Sequence, residues 1–343
     1  MKNWRKCIPL LALPLLLCGC GRDGIGSKNI LRGVYLEREA GKYQVRLVCF
    51  QASPAADAGE AQEQSILLRG SGDTAFEAVQ AARESRGGEL FSGLNELLLI
   101  GPELARAPLE EQTGFFAHQQ AGRPNTGVFL TDLPLKALDA PSADAGAMLS
   151  AVELVRARGT WECSLYQLWE QRQAVLPVLH IGEDLSTAVQ DGAVLFRDGV
   201  PAVRWDAQQT ALAMLLTGQS RRARFQIPGA GAVSFLADSV RMSFEAGEGP
   251  VLHITLRGDV RRVQTAAGTV PEPEREHWLP ALNSWLEAQA AGLIGDTFEA
   301  GADVFGFESR LRVRDAAAVE ALQKAHALTG AGRVTFQSRL ERF

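Results

Sequence analysis

Between Gln190 and Gly218 the chain spells out four elements in a row, and few folds can accommodate them. An apolar run, Ala193 to Phe196, meets a second, Val200 to Trp205, across Arg197-Asp198-Gly199. Asp-Gly between two such runs predicts a two-residue hairpin, because a type I′ turn needs positive φ at both central positions. Asp206 then stands where a helix start needs an acceptor for its free N–H groups, and Gln209, three residues on, completes a capping box. Leu212, Leu215 and Leu216 share one face of that helix, and Gly218 ends it. Strand, turn, strand and helix must follow one another here.

The rest of the chain reads around this centre. Ile30 to Leu36 and Tyr43 to Phe50 alternate apolar with polar residues and predict a hairpin, and Ser53 to Gln64 predicts an exposed loop. Thr74 with Glu77 caps a helix; Glu96 to Ile100 is a buried strand ended by Gly101-Pro102, and Glu103-Leu104-Ala105 opens another helix. A strand at Thr126 to Thr131, a short helix near Leu133, a linker-like loop at Ser142 to Gly146 and helices at Ala147 to Arg156 and Ser164 to Arg172 follow. Val175 to His180 is extended, with His180 expected as a half-buried core histidine. Further strands are expected at Ala232 to Leu236, Ser239 to Glu245 and Leu252 to Gly258, where apolar and polar residues alternate as in a sheet with one wet face. A helix from Pro280 carries Leu282, Trp285, Leu286 and Leu293 and breaks at Gly292 and Gly295; a last helix, Ala316 to Leu328, and a strand, Val334 to Leu340, close the chain.

This pattern predicts an α+β (mixed α/β) multi-domain protein, with several mixed or antiparallel sheets packed by helices. At 343 residues and 46% hydrophobic the chain can bury more than one core. The expected division is an N-terminal α/β domain over 29–188 and a C-terminal α+β domain over 189–343, with a subdivision near 250–265 left open.

The amino terminus carries an address. Lys2, Arg5 and Lys6 precede an apolar core from Ile8 to Leu17 that is too short to span a hydrocarbon layer of about 30 Å, so residues 1–19 are expected to be a signal peptide. Leu17-Cys18-Gly19-Cys20 fits the lipobox pattern, which makes Cys20 the expected lipidated first residue of the mature chain and residues 20–28 its lipid-anchored tether. Cys18 fits less well, because Leu17 would occupy the position that wants a small residue. Removal of the signal takes the net charge from −5 to −8. An acidic balance of this kind excludes nucleic acid as the expected partner. Arg221, Arg222 and Arg224 read as a solvated loop face.

No arrangement of residues announces chemistry. The histidines at 118, 180, 253, 277 and 326 are scattered, and the chain has no H-E-x-x-H, no paired C-x-x-C, no G-x-S-x-G elbow and no glycine-rich phosphate loop. Catalytic, cofactor-binding and metal sites are all expected to be none. Asp303 reads as a cap or turn residue, and Arg310, Arg312 and Arg314 as one solvated face of a strand. Cys49 and Cys163 remain in the mature chain and are expected as unpaired core thiols, although an extracytoplasmic setting also permits a disulfide. Function is then expected in a docking surface, for which Trp278, Trp285 and Phe307 are candidate anchors.

Gly192-Ala193-Val194-Leu195-Phe196-Arg197-Asp198-Gly199-Val200-Pro201, followed by a helix ending Leu216-Thr217-Gly218, resembles the centre of the spore germination receptor C-subunit lipoproteins, the Ger(x)C family. Leu98-Leu99-Ile100-Gly101, Leu176-Pro177 and Asp303-Val304-Phe305-Gly306-Phe307 fall where that family carries similar phrases. The resemblance implies a non-catalytic receptor subunit, palmitate-type lipidation and two integral membrane subunits as partners. It also implies attachment to the outer face of the spore inner membrane and a response to small nutrients. A substrate-binding lipoprotein of a transporter and an anchored hydrolase are the competing classes.

Overall fold

The computed structural model describes residues 28–52, 63–87, 89–118, 123–227, 231–245, 251–265, 268–269, 272–317, 319–320 and 331–340. The signal peptide, Cys20 and most of the expected 53–64 loop and 316–328 helix lie outside them. The first sheet opens with β1 (Lys28–Glu39), β2 (Lys42–Ala52) and β3 (Glu63–Gly72), followed by helix α1 (Ala75–Glu84), β4 (Glu89–Phe91) and β5 (Leu97–Ile100). It continues through α2 (Leu109–His118), β6 (Gly127–Thr131), α3 (Leu135–Leu138), α4 (Ala145–Ala157) and α5 (Leu165–Glu170) to β7 (Gln173–Ile181), β8 (Ala188–Arg197) and β9 (Val200–Trp205). Nine strands take the order β3-β2-β1-β5-β6-β7-β8-β9, with β4 beside the start of β1. The central strands β1, β5, β6 and β7 are parallel, and antiparallel hairpins extend the sheet at both edges.

Both faces of the parallel centre are covered, which is why Leu97 to Ile100 and Gly127 to Thr131 are buried without a break. On one face Leu36, Leu98, Ile100, Val128 and Leu176 pack with Ala78 and Val79 of α1, Phe116 of α2 and Leu165 of α5. On the other, Tyr35, Leu97, Leu99 and Phe129 meet Met148, Leu149, Val152 and Val155 of α4. The expected helix at Glu103 is a single 3-10 turn, Leu104–Arg106, and α2 begins three residues beyond it.

The second sheet follows α6 (Ala207–Thr217) and consists of β10 (Arg222–Ile227), β11 (Gly231–Glu245), β12 (Val251–Thr265), β13 (Gly268–Thr269) and β14 (Ala331–Leu340). Strands β10 to β12 are antiparallel, and β14 lies parallel to β12. The two expected strands at 232–236 and 239–245 form one long strand, whose register slips between Ala237 and Ser239. Of the arginines expected on a loop at 221–224, Arg221 precedes β10 while Arg222 and Arg224 sit on it and face out, with Ala223 and Phe225 facing in.

Helix α7 (Glu272–Glu299) starts eight residues before Pro280 and does not break at Gly292 or Gly295. Its buried stripe of Leu282, Leu286, Ala290, Leu293, Ile294 and Phe298 packs into the second core, and that packing outweighs a glycine cost of about 1 kcal/mol each. A shorter helix, α8 (Phe307–Arg314), follows. Arg310, Arg312 and Arg314 are therefore helical, not on a strand, and Arg312 pairs with Glu308 one turn away.

The Asp-Gly hairpin forms as expected, with Asp198 at φ +48° and Gly199 at φ +78°. Asp206 and Gln209 make both bonds of the capping box, 2.7 and 2.9 Å, and Gly218 closes α6 in the left-handed region. The hairpin's place differs from the division expected near residue 188. It extends the first sheet, because β8 pairs with β7, while Ala193, Leu195 and Trp205 turn their side chains into the second core. Period-2 alternation lets one hairpin serve two cores: Val194 and Phe196 face the other way, into the first.

Candidate functional site

The two parts of the molecule meet at the end of the hairpin. The Gln173 side chain donates to the Asp303 carbonyl at 2.9 Å and accepts from the Asp303 N–H at 2.7 Å, so a single amide pairs with a backbone as a strand would. Arg197 donates to the Ala300 carbonyl at 3.0 Å. Between these bonds opens a cleft of about 180 Å³ whose wall includes Trp161, Glu162, Cys163, Gln171, Gln219 and Asp303. A second hollow of about 260 Å³ lies beside it, between α2, α5 and the hairpin turn.

Asp303 takes the cap role expected for it. Its carboxylate accepts from the N–H of Phe307 and, at 2.6 Å, from that of Glu308, the first residues of α8. Burial pushes its carboxyl above the ordinary range, and those two N–H bonds work against the rise. Gly306, at φ +69°, provides the left-handed step from Asp303 into the helix. The phrase Asp-x-Phe-Gly-Phe is thus a helix start welded to β7.

The cleft is built from amides and is poor in reactive groups. Gln167 is held in the capping box of α5 and Gln173 in the clamp. Burial pushes the Cys163 thiol up to about 12, which disfavours its thiolate form. Cys49 is raised in the same way, to about 12. Both cysteines are free and sit in the first core, as expected. Among the described residues no group of three or more His, Cys, Asp or Glu side chains could hold a metal ion.

Three sequence expectations about this region change. His180 is exposed, not half-buried, and its Nδ1 lies 2.6 Å from the Asp132 carboxylate at the ends of β7 and β6. The bond and charge of Asp132 raise its pKa. Phe307 is fully buried and Trp285 packs against Phe225, with ring centroids 6.1 Å apart, so neither is a free docking anchor. The side chain of Trp278 lies outside the described residues.

One buried carboxylate went unforeseen. Glu37 is 5% exposed at the end of β1 and accepts from the N–H groups of Arg38 at 2.6 Å and of Glu103 and Leu104 at 3.4 Å. Burial raises its pKa. A Cβ at Gly101 would come within 2.2 Å of its carboxylate, which explains why a glycine follows β5. Nothing in the alternation of Val34 to Glu39 distinguished this glutamate from a solvated one.

A nine-stranded mixed sheet thus stands beside a second, mainly antiparallel one, and the Gln173–Asp303 clamp joins them. Residues 25–140 match the family model of the spore germination protein N-terminal domain. The crystal structure of the GerBC protein has the same fold: TM-score 0.50 at 12% identity, over 90% of this chain and 97% of that one. No curated protein matches the chain. The family match over residues 25–140 and the GerBC-like fold bear out the resemblance and the mixed α/β fold class expected from the sequence.

Proposed function

We propose that this chain is the lipoprotein C subunit of a spore germinant receptor. On this reading it carries lipid on Cys20 and sits on the outer face of the spore inner membrane with two integral membrane subunits. It is needed for receptor assembly and for germination in response to small nutrients, and it performs no catalysis. The observation that carries the reading is the match of residues 25–140 to the spore germination N-terminal domain, to which the GerBC-like fold adds support over most of the chain. The unreactive, amide-lined junction fits a subunit that holds partners in place. No described helix is long and apolar enough to cross a membrane, and the reading supplies attachment through Cys20 instead.

The test is purification from sporulating cells through a tag on this chain. The expected result is co-purification of two multispan membrane proteins, with diacylglyceryl-Cys20 as the first residue by mass spectrometry. Recovery of an ABC permease in their place would support the transporter class and overturn this one. Replacing each histidine or Asp303 by alanine should leave germination intact wherever receptor abundance is intact; loss of germination with a fully assembled receptor would identify an enzyme.

A further inference from the structure

Four of the eight large apolar side chains exposed among the described residues gather at one end of the first sheet. Phe91 on β4 and Leu94 just before β5 are each more than 40% exposed, and both stand at the amino-terminal end of the parallel strands. Tyr166, 57% exposed, belongs to the same end, because its N–H bonds to the Pro124 carbonyl and Leu165 bonds to Thr126, immediately before β6. Leu154, 51% exposed, lies in the last turn of α4 next to Glu153, which reaches Arg32 near the start of β1. Single exposed apolar residues need no explanation, but four on one end of a sheet do. Arg86, Arg123 and Arg158 are exposed at this same end. The other four are dispersed: Phe76 on α1 and Val189 on β8 at the opposite end of the strands, Val200 at the start of β9 and Val313 on α8.

The described chain also begins here. Lys28 opens β1 at the amino-terminal end of the parallel strands, paired with Glu89 of β4 at 3.0 Å. Eight residues separate it from Cys20, a reach of at most about 28 Å even when fully extended. A molecule of this size is roughly 40–50 Å across, so a lipid on Cys20 holds this end, and not the far one, close to the bilayer.

We infer that the amino-terminal edge of the parallel strands is a membrane-docking surface, with Phe91, Leu94, Leu154 and Tyr166 seated at the lipid interface and Arg86, Arg123 and Arg158 among anionic headgroups. Aromatic and aliphatic side chains flanked by arginine are what the boundary between headgroups and acyl chains accepts. The inference rests on the lipidation of Cys20 proposed above. Docking fixes the protein's orientation, which a tether alone would leave free, and it directs the β3 edge of the first sheet sideways along the membrane.

The test uses the full lipoprotein in vesicles of phosphatidylglycerol and phosphatidylcholine. A fluorophore is placed at Leu94→Cys, at Tyr166→Cys or, as the control at the opposite end, at Phe76→Cys; the native Cys49 and Cys163 are buried and escape labelling. Bilayer-borne quencher lipid should quench the first two several-fold more than the third. Hydrogen exchange gives the same reading without new cysteines: amides of Ser92–Asn95 and Arg123–Asn125 should slow on vesicles relative to the full-length Cys20→Ala chain in solution. Equal quenching at all three sites, or unchanged exchange, in a chain whose mass shows lipid on Cys20 overturns the docking surface and leaves the anchor standing. A mass without lipid on Cys20 overturns both.

Discussion

Single side chains decide how the halves of this molecule are joined. Asp303 was legible as a cap or turn residue because Asp shortly before a glycine marks a turn; that a helix follows it, where a strand was expected, and that Gln173 would grip its backbone were not, since a contact over that sequence distance leaves no local mark. Replacing Asp303 by alanine removes the acceptor of two N–H groups, and denaturant unfolding should show a loss of about 1–2 kcal/mol. The Asp303→Asn variant keeps one acceptor oxygen and should lose less. His180 gives a pH-dependent signal. Its folded pKa is raised by Asp132, so the pair contributes while the imidazole is protonated. That contribution is complete below the unfolded value of about 6.5 and is lost as the pH climbs through the raised folded value. Both groups are exposed, so the effect on stability is small, and NMR titration of the ring is the suitable measurement. The midpoint should lie above about 6.5 and return there in Asp132→Asn.

At the scale of elements, strands and helices were legible wherever the chain's own periodicity decides them. The hairpin of β8 and β9, the capping boxes of α5 and α6 and the buried β5 and β6 all follow from nearest neighbours along the chain. What could not be read is which side of a strand meets which core: Ala193 and Val194 are equally apolar and face different ones. β3 was missed because its Leu-Arg-Gly-Ser-Gly ending resembles a loop. Those glycines exist because α1 crosses against them, and a Cβ at Gly70 would lie 2.0 Å from the Ala78 carbonyl. Glycines in two elements make opposite predictions. Gly192 is at φ +130° with the Trp205 carbonyl 2.3 Å from any added Cβ, so Gly192→Ala should destabilise the fold by about 2 kcal/mol or more. Gly292 lies inside α7 with nothing within 4 Å, and Gly292→Ala should stabilise by up to about 1 kcal/mol. Thermal unfolding of the two variants side by side checks both.

For the whole molecule, the boundary between parts was the least legible feature, since composition hardly changes from one core to the next. The first sheet runs on to Trp205, and the exposed Gly218-Gln219 link after α6 separates it from the second. Limited proteolysis should nick that link and spare 193–205, and the two fragments should elute together in size exclusion because the hairpin's inner face is packed in the second core. The shared hairpin also sets an order in time. A chain that emerges amino end first can close β1 to β7 early, but Ala193, Leu195 and Trp205 find no cover until α6, β10 to β12 and α7 have followed. At about 5–20 residues per second that wait lasts roughly 5–20 s. During it an apolar strip with a tryptophan at its end faces water, which makes it the segment a holding chaperone would grasp.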